Sequence, residues 1–67
     1  VVRSDYVIEV LVEIGFAGSK AEARRLIKQG GVEVGGKRIN KATTHLDRTD
    51  GLIIRVGKRK IARLRFL

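Results

Sequence analysis

GSKAEARRLIKQGGVEVGGKRI, residues Gly18–Ile39, holds six of the chain's fifteen lysines and arginines. It opens on Ser19-Lys20-Ala21-Glu22, the S-x-x-E pattern in which a hydroxyl and a carboxylate satisfy the first free N–H groups of a helix. A helix over residues 20–29 is predicted to follow and to stop at Gly30-Gly31. At roughly 100° per residue, Ala23, Leu26 and Ile27 share one apolar sector. Lys20, Arg24, Arg25 and Lys28 fill the opposite sector as a continuous cationic arc, with Glu22 and Gln29 at its edge. Like charges on one helix face repel, so the arc implies an anion outside the chain. Val32-Glu33-Val34, Gly35-Gly36 and Lys37-Arg38-Ile39 then read as a hairpin, because two glycines supply the positive φ that both central residues of a type I′ turn require. A tip without side chains also lets a sugar-phosphate backbone come close.

Upstream, Ser4-Asp5 is placed to cap a helix over residues 5–14. Periodicity alone leaves a choice there: Val7, Leu11 and Ile14 share a helical face, but Ile8, Val10, Val12 and Ile14 would make an equally clean strand face. Gly15, where a helix C-cap belongs, favours the helix. Downstream, residues 40–51 are polar and loop-like. Leu52–Val56 reads as a strand, Gly57-Lys58 as a turn, and Lys60–Phe66 as a half-buried strand with Ala62, Leu64 and Phe66 on one side and Ile61, Arg63 and Arg65 on the other. Two N-terminal helices followed by about four short strands predict an α+β fold with a small antiparallel sheet.

The chain has 67 residues, 43% of them apolar, and a formal net charge of +8. That length sets one small domain over residues 1–67, burying only about 60% of its unfolded surface and leaving no room for a substrate pocket beside the core. Cysteine is absent, which excludes disulfides and thiolate metal sites and fits a reducing, cytoplasmic compartment. No apolar run exceeds three residues, so no membrane span or signal segment is expected. The chain opens on VVRSD without a methionine, as a C-terminal fragment of a longer protein would. So large a positive charge is a statement about partners, and nucleic acid is the partner class it favours over simple solubility.

Nothing in the sequence assembles an active site, and no catalytic residue, metal or cofactor is expected. His45 is a lone histidine in a polar loop, best read as surface. Asp47 with Asp50 is loop solubility, and Glu9 with Glu13 is a solvated helix face. Ser4 and Ser19 are caps. Gly30-Gly31 and Gly35-Gly36 lack the spacing of a nucleotide-binding loop. The cationic arc differs, because Lys20, Arg24 and Lys28 stand one turn apart, about 5–6 Å, beside a helix N-terminus that itself favours phosphate. From Arg24 to Lys41 Glu33 is the one acidic residue. Gly57-Lys58-Arg59-Lys60 is a second cluster, with equal claims as contact surface and as a solubility feature; Arg63 and Arg65 either extend it or wet the sheet. Tyr6, Phe16 and Phe66 are too few for a base-stacking platform and are expected in the core. Recognition through backbone and shape suits structured RNA.

The Gly18–Ile39 stretch, with S-x-x-E-A-R-x-L-I followed by G-x-V-x-V-x-G-K-x-I, resembles the central motif of the S4 RNA-binding domain. VLVEIGFAGSK before it and GLIIRVGKRKIARLRF after it are similar to the C-terminal S4 domain of bacterial tyrosyl-tRNA synthetases. The resemblance covers nearly the whole chain. It implies the S4 fold, with the αL RNA-binding motif built from the two helices and the hairpin. It also implies a tRNA-gripping role on tRNA(Tyr) without catalysis in these residues, and a tyrosine-tRNA ligase as parent, which would dimerise through regions outside them. The matching RNA-facing positions are Ser19, Lys20, Arg24 and Lys28 on the helix, with Gly36, Lys37 and Arg38 at the hairpin; Arg25 joins them from the arc, and Lys58, Arg59 and Lys60 form a secondary set. Gly35 stands where the family commonly has Asn, which keeps the turn but removes an amide. A ribosome-associated or RNA-modifying S4 protein, a basic protein-interaction module and a DNA-binding helix-turn-helix are the competing readings.

Overall fold

The computed structural model describes residues 2–66. In chain order the elements are α1 (Val7–Glu13), α2 (Lys20–Lys28), β1 (Val32–Val34), β2 (Lys37–Arg38), β3 (Leu52–Val56) and β4 (Lys60–Leu64). The strands form one antiparallel sheet in the order β2-β1-β3-β4. The expected α+β arrangement of two helices and four strands is therefore present.

Both helices end in the same hydrogen-bond motif. After α2, the Gly30 N–H donates to the Ile27 carbonyl and the Gly31 N–H to the Leu26 carbonyl, 3.0 Å each. Gly30 has φ +75°, a left-handed conformation that a side chain disfavours. Gly15 ends α1 in the same way, with Phe16 and Gly15 donating to Leu11 and Val12. This settles the helix–strand choice for residues 7–14 in favour of the helix. The start of α2 is also as expected: the Ser19 hydroxyl accepts from the Glu22 N–H at 3.2 Å. The Glu22 carboxylate reaches back one residue further than a standard capping box, to the Gly18 N–H at 3.1 Å.

The start of α1 differs from expectation. The helix begins at Val7, not residue 5, and its N-cap, Tyr6, makes no side-chain cap bond. The Ser4 hydroxyl accepts from the Tyr6 N–H before the helix begins. The backbone there is committed elsewhere: the Leu46 N–H donates to the Asp5 carbonyl at 2.6 Å, and the Val7 N–H donates to the Thr44 carbonyl at 3.1 Å. Glu13, read as part of a solvated face, has an exposed carboxylate that accepts from the backbone N–H groups of Arg3 and Ser4. Val2 bridges to Phe66, so the two ends of the chain are tied together. The last strand stops at Leu64 rather than running to Phe66.

One core unites the layers. Val7, Val10 and Leu11 of α1 and Ala23 and Ile27 of α2 pack with Val32, Val34, Ile54, Val56 and Leu64 of the sheet, and Val2, Ala17 and Leu46 close it. No polar or charged side chain is buried among the described residues. Phe16 and Phe66 pack against this core as expected. Tyr6 does not: it is 40% exposed, because its backbone is bridged to the 44–46 segment and its ring lies on His45. No helix among the described residues is long and apolar enough to cross a membrane.

Ile54 is fully buried at the centre of the sheet. A core this small supplies only about 3–5 kcal/mol of net stability, and an Ile→Ala cavity costs about 2–5 kcal/mol. Ile54→Ala is therefore expected to leave the chain largely unfolded at 25 °C, read as loss of the far-ultraviolet circular dichroism of both helices.

Candidate nucleic-acid interface

The two sides of α2 have different neighbours. Ala23 is 0% and Ile27 2% exposed, and Leu26 is half-buried against the core. That orientation leaves Lys20, Arg24, Arg25 and Lys28 all exposed on the other side. Among the described residues none of the four enters an ion pair or a hydrogen bond through its side chain. The four charges therefore face solvent, with Ser19 and the positive end of the helix dipole beside Lys20.

The hairpin adopts its expected turn, with Gly35 at φ +59° and Gly36 at φ +84°. Its two cations separate. Lys37 pairs with the buried Val34 and so lies on the helix side of the sheet, whereas Arg38 pairs with Glu33 on the outer side. Arg38 also reaches the end of α2: a Cβ added to Gly30 would sit 3.5 Å from Arg38 Cδ. That is ordinary contact distance, so at Gly30 it is the left-handed backbone, not the neighbouring side chain, that disfavours anything larger.

The register determines which predicted residues come together. Val32 pairs with Val56, and Val34 with Ile54. The turn after β3 therefore lies at the end of the sheet where α2 finishes, and the Gly57 N–H donates to the Gly31 carbonyl at 2.9 Å. Lys58, Arg59 and Lys60, all exposed, stand beside the C-terminal end of α2, where the helix dipole favours cations. The backbone of that turn is thus bonded to the chain just past the end of α2. Gly36 and Lys37 lie at the other end of the sheet, apart from that cluster.

Three features were not singled out from the sequence. Arg55 is exposed on the outer side of the sheet beside Glu33, and its alternation with Ile54 and Val56 was the available signal. Arg48 lies over the Phe66 ring, 5.7 Å from its centroid. Tyr6 and His45 stack with ring centroids 4.1 Å apart; 38 residues of intervening chain separate them, so no local pattern announces the pair. Among the described residues no group of three or more His, Cys, Asp or Glu could hold a metal ion.

The fold is a two-helix, four-strand α+β domain whose second helix carries four exposed cations, unpaired among the described residues. The S4 domain family model matches residues 8–52. The chain is 45% identical over 58 residues to the tyrosine–tRNA ligase of Thermotoga maritima, covering 87% of this chain and 14% of that protein. It is 44% identical over 55 residues to the tyrosine–tRNA ligase of Moorella thermoacetica, 82% of this chain and 13% of that one. The small ribosomal subunit protein uS4 of Natranaerobius thermophilus is 38% identical over 58 residues, 87% of this chain and 28% of that protein. The chain thus spans only a minor part of the length of these relatives, and it belongs to the S4 domain family.

Forcing an L side chain into the left-handed region costs about 1–2 kcal/mol. Gly30→Ala is expected to lower stability by about that amount, whereas Gly31→Ala, whose Cβ would meet only the Leu26 carbonyl at ordinary contact distance, should cost less. Paired urea denaturation curves check this.

Proposed function

We propose that this chain is an RNA-binding module that grips structured RNA, tRNA(Tyr) in particular, through the outward side of α2 and the basic turns around it. The observation that carries the reading is the exposed arc Lys20, Arg24, Arg25 and Lys28, unpaired among the described residues and held outward by a helix whose other side is locked in the core. Cations one turn apart on a rigid helix suit a sugar-phosphate backbone, and arginine adds bidentate phosphate contacts. Ser19 and Lys20 take a phosphate at the N-terminal end. Arg38, Lys58, Arg59 and Lys60 extend the surface past the other end, and Gly36 and Lys37 meet a separate point on the same RNA.

The ligase relatives support tRNA(Tyr) as the ligand. In this reading residues 1–67 are one S4 domain on the C-terminal side of a longer, cytoplasmic tyrosine–tRNA ligase. That parent carries the aminoacylation chemistry in its other parts and the dimer contacts outside these residues. A second reading, the S4 domain of a ribosome-associated protein, is favoured by the similarity to uS4. Affinity for tRNA(Tyr) compared with a ribosomal RNA junction of equal length separates the two.

Each neutralised phosphate contributes about 0.7–0.9 to the slope of log K against log salt. Four or five contacts give a slope of about −3 to −5 with tRNA. Arg24→Ala and Lys28→Ala should each weaken binding and flatten that slope by about 1. Unchanged tRNA affinity in both variants would sink the assignment of this face.

Chemical-shift mapping with tRNA added should move the amides of residues 19–28 and 57–60 together. Heparin should compete poorly at equal charge concentration. Equal competition would favour a basic protein-interaction module that meets any polyanion.

A further inference from the structure

The geometry points to a base-reading element beside the phosphate-binding face. In it, the groove between the β1–β2 hairpin and the 44–47 segment receives one unstacked nucleotide, with Lys37 at its phosphate, His45 against its base and Asp47 on its Watson–Crick edge. This rests on the RNA reading above and adds a ligand subsite to it.

Contrary to the expectation from chain length, a groove of about 310 Å³ opens beside the core residues Val34 and Leu46, within the range of about 300–1,000 Å³ typical of small-ligand sites. Val34, Leu46 and Leu52 supply apolar lining, and Lys37, His45 and Asp47 supply the polar groups. One wall is already built. The Thr44 and Asp5 carbonyls accept from the N–H groups of Val7 and Leu46. Tyr6 bridges to His45 through the backbone, and its ring supports the His45 ring at 4.1 Å with a tilt of 38°. A wall held in advance costs less ordering when a ligand arrives.

The charge pattern selects the ligand. Lys37 attracts an anion, but Asp47 repels one, so inorganic phosphate alone is a poor occupant. A nucleotide carries both complements: a phosphate at one end and N–H donors on its base at the other. A carboxylate accepts from the exocyclic amine of cytosine, adenine or guanine, whereas uracil has no such amine and offers only its ring N3–H. In a duplex the base edges are paired and stacked, so the RNA element is a loop, bulge or end. The lone imidazole and the lone aspartate, each unremarkable in the sequence, thereby acquire roles through placement. Lys37 belongs to this groove rather than to the cationic end of α2.

The test uses the 67-residue chain with short single-stranded oligo(C), oligo(A) and oligo(U) and with a blunt RNA duplex, followed by amide chemical shifts. The single strands should move His45, Leu46 and Asp47; the duplex should move α2 and leave them still. Asp47→Asn keeps the shape of the side chain and should lower affinity for oligo(C) and oligo(A) about tenfold relative to oligo(U), with the salt slope unchanged. Lys37→Ala should flatten the slope by about 1. The inference is overturned if the 44–47 amides ignore every single strand. It is equally overturned if Asp47→Asn raises affinity for all RNAs alike, since the carboxylate would then only repel phosphate, or if an acidic peptide fills the groove in preference to RNA. Arg24→Ala run in parallel keeps the two readings apart. If it weakens all RNAs while Asp47→Asn does nothing, the groove falls alone; if it does nothing while the groove variants act, the helix reading falls and the groove stands.

Discussion

Everything presented on the surface of this domain depends on burial of one side of α2. Ala23 and Ile27 are almost without exposure, and the helix has no freedom to roll. Turning it by one residue, about 100°, would bring Ile27 toward water and drive Arg24 or Lys28 toward a core that holds no polar partner among the described residues. An unpaired buried charge costs several kcal/mol, comparable with the whole stability of so small a domain. The same residues that hold the sheet and helices together therefore aim the lysines and arginines outward. Stability and charge display are one constraint.

The second constraint is topological. α1 lacks a side-chain cap, and its start is held instead by backbone bonds to the 44–46 segment and by the Glu13 carboxylate on Arg3 and Ser4. Those bonds turn a polar connection into a fixed wall. A separate bond ties the N-terminal stretch to the chain just after β4, where the Val2 N–H donates to the Arg65 carbonyl at 2.7 Å. Rigidity in the loop comes from non-local pairing, and the groove next to Lys37 exists because of it.

The surface then divides its labour. The arc on α2 and the turn at residues 58–60, bonded through Gly57 to the chain just past α2, are both exposed and cationic, and such charge attracts any phosphate backbone at long range. The groove at the other end of the sheet mixes a cation, a carboxylate and a supported imidazole, which attraction alone does not need. In the proposed reading affinity and discrimination are separable, because the groups that would release counterions differ from those that would meet a base edge.

Much of this was legible in the residues. Ser19 with Glu22, Gly15, Gly30 and Gly35-Gly36 are local devices acting within a few positions, and the sequence by itself determined both helix ends, the start of α2, the hairpin turn and the side of α2 that meets solvent. The alternation in β3 and β4 determined which residues face inward; Ile61, 51% exposed, lies outward as that alternation requires. The tertiary structure alone decided the rest. It moved the start of α1 from residue 5 to Val7, since the bonds that consume the local backbone come from residues some forty positions away. It exposed Tyr6 by pairing it with His45. It brought residues 58–60 to the end of α2 through the Val32–Val56 register. Capping and periodicity are written in short windows, whereas register and backbone pairing between distant segments are selected by the whole core at once.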